Sequence, residues 1–326
     1  MRTHILLAGI VLAGSGAAFG AVDRELLALV PPGARFVAEI DVTKARMSDF
    51  GQYLMRRAGS DNAGYERLIQ ETGFDPRRDL QDVMIASTGT RPARQADSQN
   101  VLVLARGTFD VARLETLAKA KNAEIEQYGR VDLIVKKDGN RRTAVAFPET
   151  GIAVLGDPAT VREVIDHRAS PSVLDARLTK EIELASNEND IWFASVVSGA
   201  FLGRQLESAT PQQKSGAGPQ FSKSQALESI RVSRGGVALG DTVKLTFDAE
   251  TRSPQDATSV ADVVRFVSSM LQTQRQNDPR AAILASALDG MELKTEGSNV
   301  HVSIALPEKS LEQLAREYPN ASGQAN

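Results

Sequence analysis

Residues 131–157 read VDLIVKKDGNRRTAVAFPETGIAVLGD, three short strands in quick succession. The turn DGN at 138–140 separates the first two, and YGR at 128–130 joins the first to a further short strand around Ile125. Turns this tight join antiparallel neighbours, whereas parallel strands need a crossover of about a dozen residues or more. The stretch therefore decides against a doubly wound parallel sheet. It predicts an α+β fold with mainly antiparallel sheets and helices packed on one face. Pro158 follows at once and opens the helix PATVREVIDH, where its missing N–H costs nothing.

Working back from this stretch, TFDVARLETLAKAK places Val111, Leu114 and Leu117 on one helical face, with Thr108 as the expected cap. Before it stand two strands, DVMIAST and NVLVLARG, and the loop GTRPARQADSQ between them. RFVAEIDV is the first strand, followed by helical segments carrying Met47, Phe50 and Leu54, then Tyr65, Leu68 and Ile69, with Gly73 as terminator. The second half repeats this order. IWFASVVSG is its first strand, AFLGRQL a helix, ALESIRVSR and TVKLTFDAE a strand pair, SPQDATSVADVV the start of a long helix, and MELKTEG and NVHVSIAL the closing strands before a last helix at Pro307. Both halves read β-α-β-β-α-β-β-α, the first with one additional hairpin. The expected organisation is an N-terminal α+β unit over 21–175 and a C-terminal one over 176–326, with a flexible loop at 207–225, ESATPQQKSGAGPQFSKSQ.

Residues 1–20 stand outside this pattern. ILLAGIVLAGSGAAFG at 5–20 places glycines at 14, 16 and 20, but a dinucleotide fingerprint needs the last one at 19, which is Phe19. Pro31 and Pro32 also halt any following helix early. Arg2, an uncharged core from Ile5 to Ala13 and the tail Ala18-Phe19-Gly20 match an export signal instead. The expected location is periplasmic or extracellular. No later run has the length to span a bilayer, and with no cysteine the chain has neither a disulfide nor a lipid-bearing Cys.

The net charge of −3 supplies no attraction to nucleic acid or to anionic lipid. Beyond the signal the only histidines are His167, closing a helix, and His301, on a strand's polar face; neither has metal-ligand spacing. SVVSGAF at 195–201 has serines at a strand-to-helix junction, but no G-x-S-x-G, and reads as capping. KKDGNRR at 136–142 is a basic hairpin turn without the spaced acids of a calcium loop, and RRDLQD at 77–82 a solvated turn. No pair among the 41 acidic residues is singled out as a catalytic acid and base, and Trp192, the one tryptophan, reads as core. No catalytic, cofactor or metal residue emerges.

One stripe stands out. Val260, Val263, Val264, Val267, Met270 and Leu271 recur at helical spacing, and Ile283, Leu284 and Leu288 continue the face after Asn277-Asp278-Pro279. The default reading packs it on the sheet of its own half; the sharper one makes it a groove for a peptide or acyl chain.

LVPPGARFVAEIDVTKARMSDFGQYL (29–54), ETGFDPRRDLQDVMIAS (71–87) and GIAVLGDPATVREVID (151–166) together resemble a group of exported bacterial proteins of unknown function. The shared features are structural, a proline-bounded first strand and a Gly-Phe-Asp-Pro turn. The resemblance implies an envelope or secreted α+β protein and carries no catalytic residue across. The function expected is a non-enzymatic binding or interaction module whose partner is another envelope protein or an apolar ligand. A hydrolase with an unrecognised site and a carrier of an apolar ligand are the alternatives.

Overall fold

The computed structural model describes residues 22–60, 63–89, 101–139, 141–168, 173–199, 223–274 and 285–310. The expected export signal, the expected AFLGRQL helix, residues 207–222 of the expected loop and residues 277–284, read as continuing the stripe, lie outside them.

Among the described residues twelve strands form one sheet. From β1 (Phe36–Asp41) it runs through β2 (Leu80–Ser87), β3 (Val101–Gly107), β7 (Ile152–Gly156), β6 (Arg141–Glu149) and β5 (Val131–Asp138) to the edge strand β4 (Glu124–Tyr128). On the other side of β1 it runs through β8 (Ile191–Ser195), β9 (Ile230–Ala238), β10 (Thr242–Thr251) and β12 (Asn299–Pro307) to the edge strand β11 (Glu292–Glu296). Every pairing is antiparallel. Tyr128 faces Val131, so Gly129 and Arg130 alone make the first turn of the opening stretch, and Gly129 takes the positive φ of 61° that such a turn requires.

Separate sheets in the two halves were expected; the halves instead join edge to edge. Phe36 lies opposite Ser195 and Ile40 opposite Ile191. Without this pairing β1 and β8 would each leave a row of backbone groups unmatched. The outer edges are short and carry charge, as Glu292, Lys294 and Glu296 on β11 illustrate, which blunts further pairing.

The helices also depart from the one-face expectation, because the central strands are apolar on both sides. α1 (Arg24–Ala28), α7 (Pro158–His167) and α8 (Ala176–Glu188) share a core with Val37, Met84, Leu104, Leu133, Val154 and Trp192. On the opposite face α9 (Lys223–Glu228) and α10 (Pro254–Gln274) pack on Ile230, Ala249 and Val300. The remaining helices are α2 (Val42–Met47), α3 (Asp49–Ser60), α4 (Ala63–Thr72), α5 (Pro76–Asp79) and α6 (Val111–Ala120).

Local signals account for most helix ends. Gly73, at φ 72°, donates to Ile69 and stops α4. Asp157 caps α7 ahead of Pro158. Ser253 accepts from the Asp256 N–H at the start of α10. The cap of α6 is Asp110 rather than Thr108, whose N–H instead binds the Asp79 carbonyl. α8 opens the expected C-terminal unit, where the sequence reading placed no helix; Leu178, Ile182 and Ala185 mark its apolar face, and Asp175 caps it. Residues 226–228 of the expected strand ALESIRVSR instead belong to α9.

Candidate functional site

The two sheet faces differ in chemistry, and following directly opposed residues from strand to strand makes the difference plain. One row starts at Leu293 on β11 and passes Val302, Phe247, Gly235 and Phe193 to Ala38 on β1. It continues through Ile85, Val103, Leu155, Val145 and Ile134 to Ile125 on β4. All twelve positions are apolar or glycine. Phe193 stacks between Phe36 and Phe247 across the seam, with ring centroids 6.2 and 6.3 Å apart. On the β7 side the row opens to solvent, where Leu155 is 38% exposed.

The helical stripe lies on this same face and divides along its length. Val260 and Val263 are 1% and 5% exposed and pack on Ala249 and Val300. Val264, Val267, Met270 and Leu271 are half-buried, and Phe266 beside them is 46% exposed. The first turns of α10 thus act as core, and the later ones carry apolar side chains with solvent access.

The opposite face holds a polar row. Lys294, His301, Asp248 and Arg234 lie directly opposite one another on β11, β12, β10 and β9, and the same row continues as Ala194, Val37 and Ala86 beneath the helices. Arg234 bridges Glu181 of α8 at 2.7 Å and Asp248 at 3.2 Å. Asp248 in turn accepts from His301 Nδ1 at 2.8 Å. A carboxylate only accepts, so this bond places the imidazole proton on Nδ1 and leaves Nε2 as the acceptor of the neutral ring. These residues line a cleft of about 620 Å³ between α8 and the strands. Sequence reading missed them because 14 and 53 residues separate neighbours that only the strand register unites. The available signal was a charged or imidazole residue near the middle of each of three strands, Arg234, Asp248 and His301.

A third cluster sits at the seam. Glu39 on β1 is 4% exposed and accepts from Trp192 Nε1 at 3.0 Å and from the Asp23 backbone N–H at 3.1 Å. Burial, with Asp82 and Asp23 as like-charged neighbours, pushes its carboxyl up to about 7. Burial, then the charges of Asp41 and Asp23, pushes Asp82 up to about 6. Burial also acts to raise Asp23, but Arg106 and the α1 backbone N–H groups outweigh it and hold that carboxyl below its ordinary value. Arg106 binds both Asp23 and Glu25.

The remaining sequence candidates have structural partners. Ser195 Oγ accepts from Val197 N–H, and the Ser198 hydroxyl donates to the Glu228 carbonyl. His167 Nδ1 bonds the Glu163 carbonyl one helical turn back. Among the described residues no group of three or more His, Asp and Glu side chains is arranged to hold a metal ion, and no helix is long and apolar enough to cross a membrane.

These features define a mixed helix-and-strand protein built on one large antiparallel sheet. Among solved structures, crystal form III of the protein TP0453 matches with a TM-score of 0.52 at 10% identity, covering 91% of this chain and 99% of that one. Crystal forms I and IV of TP0453 follow at 11% identity, with TM-scores of 0.49 and 0.48 and coverage of 90% and 89% of this chain and 97% and 95% of those. No family model and no curated protein matches the chain. At such identity the likeness concerns the fold alone.

Proposed function

We propose that this chain is an exported, non-enzymatic binding module whose working surface is the apolar sheet face beside the later turns of α10. The observation that carries the reading is the row from Leu293 to Ile125, apolar at every strand and half-open at Leu155. A sheet face that only met water would alternate toward polar residues. We count with that surface Val264, Val267, Met270 and Leu271, half-buried on the helix that packs over β10 and β12 of the same face, and the occupant is an apolar ligand or an apolar segment of another envelope protein.

The strand order supports a further part of the reading, two copies of one unit over 21–175 and 176–326. β1, β2 and β3 step outward from the seam on one side as β8, β9 and β10 do on the other. In each half a helix follows the third strand, α6 or α10, and the last strand, β7 or β12, returns beside the third. The N-terminal unit carries the extra hairpin β4–β5.

An environment-sensitive apolar dye tests the surface. The folded protein binds it, and Leu155→Lys with Met270→Lys abolishes binding while the melting temperature shifts by only a few degrees. Unchanged dye binding in that double variant rejects the surface. N-terminal sequencing of the native protein tests export separately: the mature chain should begin at or near Ala21, and an intact Met1 rejects it.

A further inference from the structure

We propose that α1 is a pH-controlled strap, docked across the sheet while Arg106 holds it and released when Arg106 is drawn to Asp82. The docked state rests on a few named contacts. Asp23 gives its backbone N–H to Glu39 and its carboxylate to Arg106, and Glu25 adds a second carboxylate to the same guanidinium. Beyond these polar ties, Leu26, Leu29 and Val30 enter the core that Met84 and Leu104 line. A five-residue helix has no stability of its own, so docking decides whether it forms.

The strand register supplies the rival for Arg106. Asp82 on β2 lies directly opposite Arg106 on β3, and Asp41 on β1 lies directly opposite Asp82. Asp23, Glu39, Asp41 and Asp82 thus crowd the start of α1. Among the described residues Arg106 is the one cation in ion-pair contact with any of them, and its partner is Asp23. The neighbouring elements add no compensating charge. Trp192 of β8 donates a neutral N–H to Glu39, Lys44 of α2 pairs with Asp190, and Arg46 of α2 binds the Arg77 and Arg78 carbonyls. Glu181 of α8 is held by Arg234. Burial, with like-charged neighbours adding to it, pushes Glu39 up to about 7 and Asp82 up to about 6. In mild acid both are therefore protonated, and Arg106 is left to Asp23 and Glu25. As pH rises, an ionised Asp82 competes for the guanidinium, and an ionised Glu39 lies 4% exposed in the core that α1 helps to close. Lifting α1 answers both, because it frees Arg106 for Asp82, removes the Asp23 charge and admits water to Glu39. The Asp23 N–H bond to Glu39 opposes release, but burial outweighs it at that carboxyl. The contribution to docking is thus full in acid and is lost as pH rises through about 6 and 7.

Hydrogen exchange of the purified protein, resolved to single amides, tests the strap. The Leu27, Leu29 and Val30 amides are bonded within α1 and its last turn. Their protection, corrected for the intrinsic exchange rate, should fall about tenfold or more from pH 5 to pH 8. Full return of Glu39 to its ordinary value on opening would make that fall about 70-fold. These amides should also exchange faster than those of Leu102 and Leu104 and ignore low denaturant, the mark of local rather than global opening. Glu39→Gln with Asp82→Asn should keep α1 protected at pH 8. Asp82→Asn alone, which removes the rival for Arg106, should make the fall smaller than in wild type. Protection that does not change between pH 5 and pH 8, or an equal fall in the double variant, overturns the proposal. So does identical protection and denaturant dependence of the α1 and β3 amides, since α1 would then leave only when the whole protein unfolds. If the double variant does not fold, Asp82→Asn decides, and a fall as large as in wild type overturns the strap.

Discussion

Trp192 donates its indole N–H to the Glu39 carboxylate at 3.0 Å across the strand pair that joins the two halves of the sheet. The bond places an acid in the middle of the core, where Val37 and Ala194 are its neighbours along the same face. Both oxygens of Glu39 accept from N–H donors, yet among the described residues no cation pairs with it. Burial dominates, and the acid holds its proton to about pH 7.

The pH dependence of stability follows from that shift. The folded state binds the Glu39 proton more tightly than the unfolded chain does, so this contribution is complete below about 4.5 and is lost as pH rises to about 7. Asp82, pushed up to about 6, acts in the same direction. Full loss at Glu39 is worth roughly 3 kcal/mol. Denaturant unfolding should therefore give a more stable protein at pH 5 than at pH 8, and Glu39→Gln should flatten most of the difference. An equally steep dependence in the variant would exclude Glu39 as its source.

Arg106 supports α1 by binding Asp23 and Glu25 at its start. Its removal leaves Asp23 half-buried near Asp82 and Glu39 without its ion-pair partner. Arg106→Met should cost about 2–4 kcal/mol, more than loss of an exposed ion pair. Limited proteolysis should then cut near α1 first, because Leu26 and Val30 lose the anchor that holds them in the core.

Much of this architecture was legible locally. The hairpins of residues 124–157, the Asp157-Pro158 start of α7 and the Ser253 cap of α10 all follow from residues within one turn of each feature. The join of β1 to β8 was not, since 153 residues separate Glu39 from Trp192 and no local pattern records which edge a strand will seek. Helices on both faces were hidden for a related reason: Phe36, Ala38 and Ile40 are as apolar as Val37, so alternation could not identify a solvent side of β1. The candidate apolar stripe was visible as helical spacing, but its division into core and open turns depends on where the sheet ends beneath α10.

Gly235 and Gly236 in mid-strand have a packing role that their position alone did not disclose. A Cβ on Gly236 would lie 2.4 Å from the Ile191 carbonyl and 2.5 Å from the Asn189 side chain. Asn189 is buried there, donating to Ala185 at the end of α8 and accepting from the Thr246 hydroxyl. Gly236→Ala should thus displace the residue that ties α8 to β10 and cost about 1–3 kcal/mol. Thermal unfolding measures the loss, and an unchanged midpoint would mean that Asn189 moves freely.

The division of α10 sets up a paired test of the binding surface. Val263 packs on Val300 and Ala249 with almost no solvent contact, so Val263→Asp brings an unpaired carboxylate into the core and should unfold the C-terminal half. Val263→Ala should cost about 1–3 kcal/mol, the transfer free energy of the lost methyl groups plus a small cavity. Leu271, two turns on, is half-buried and has solvent access for a charged group. Leu271→Asp should therefore leave the melting temperature within a few degrees of wild type while apolar dye binding falls sharply. If Leu271→Asp unfolds the protein as Val263→Asp does, the later turns of α10 are core like the first. If both variants melt as expected and dye binding persists in Leu271→Asp, the ligand face does not extend to the end of the helix.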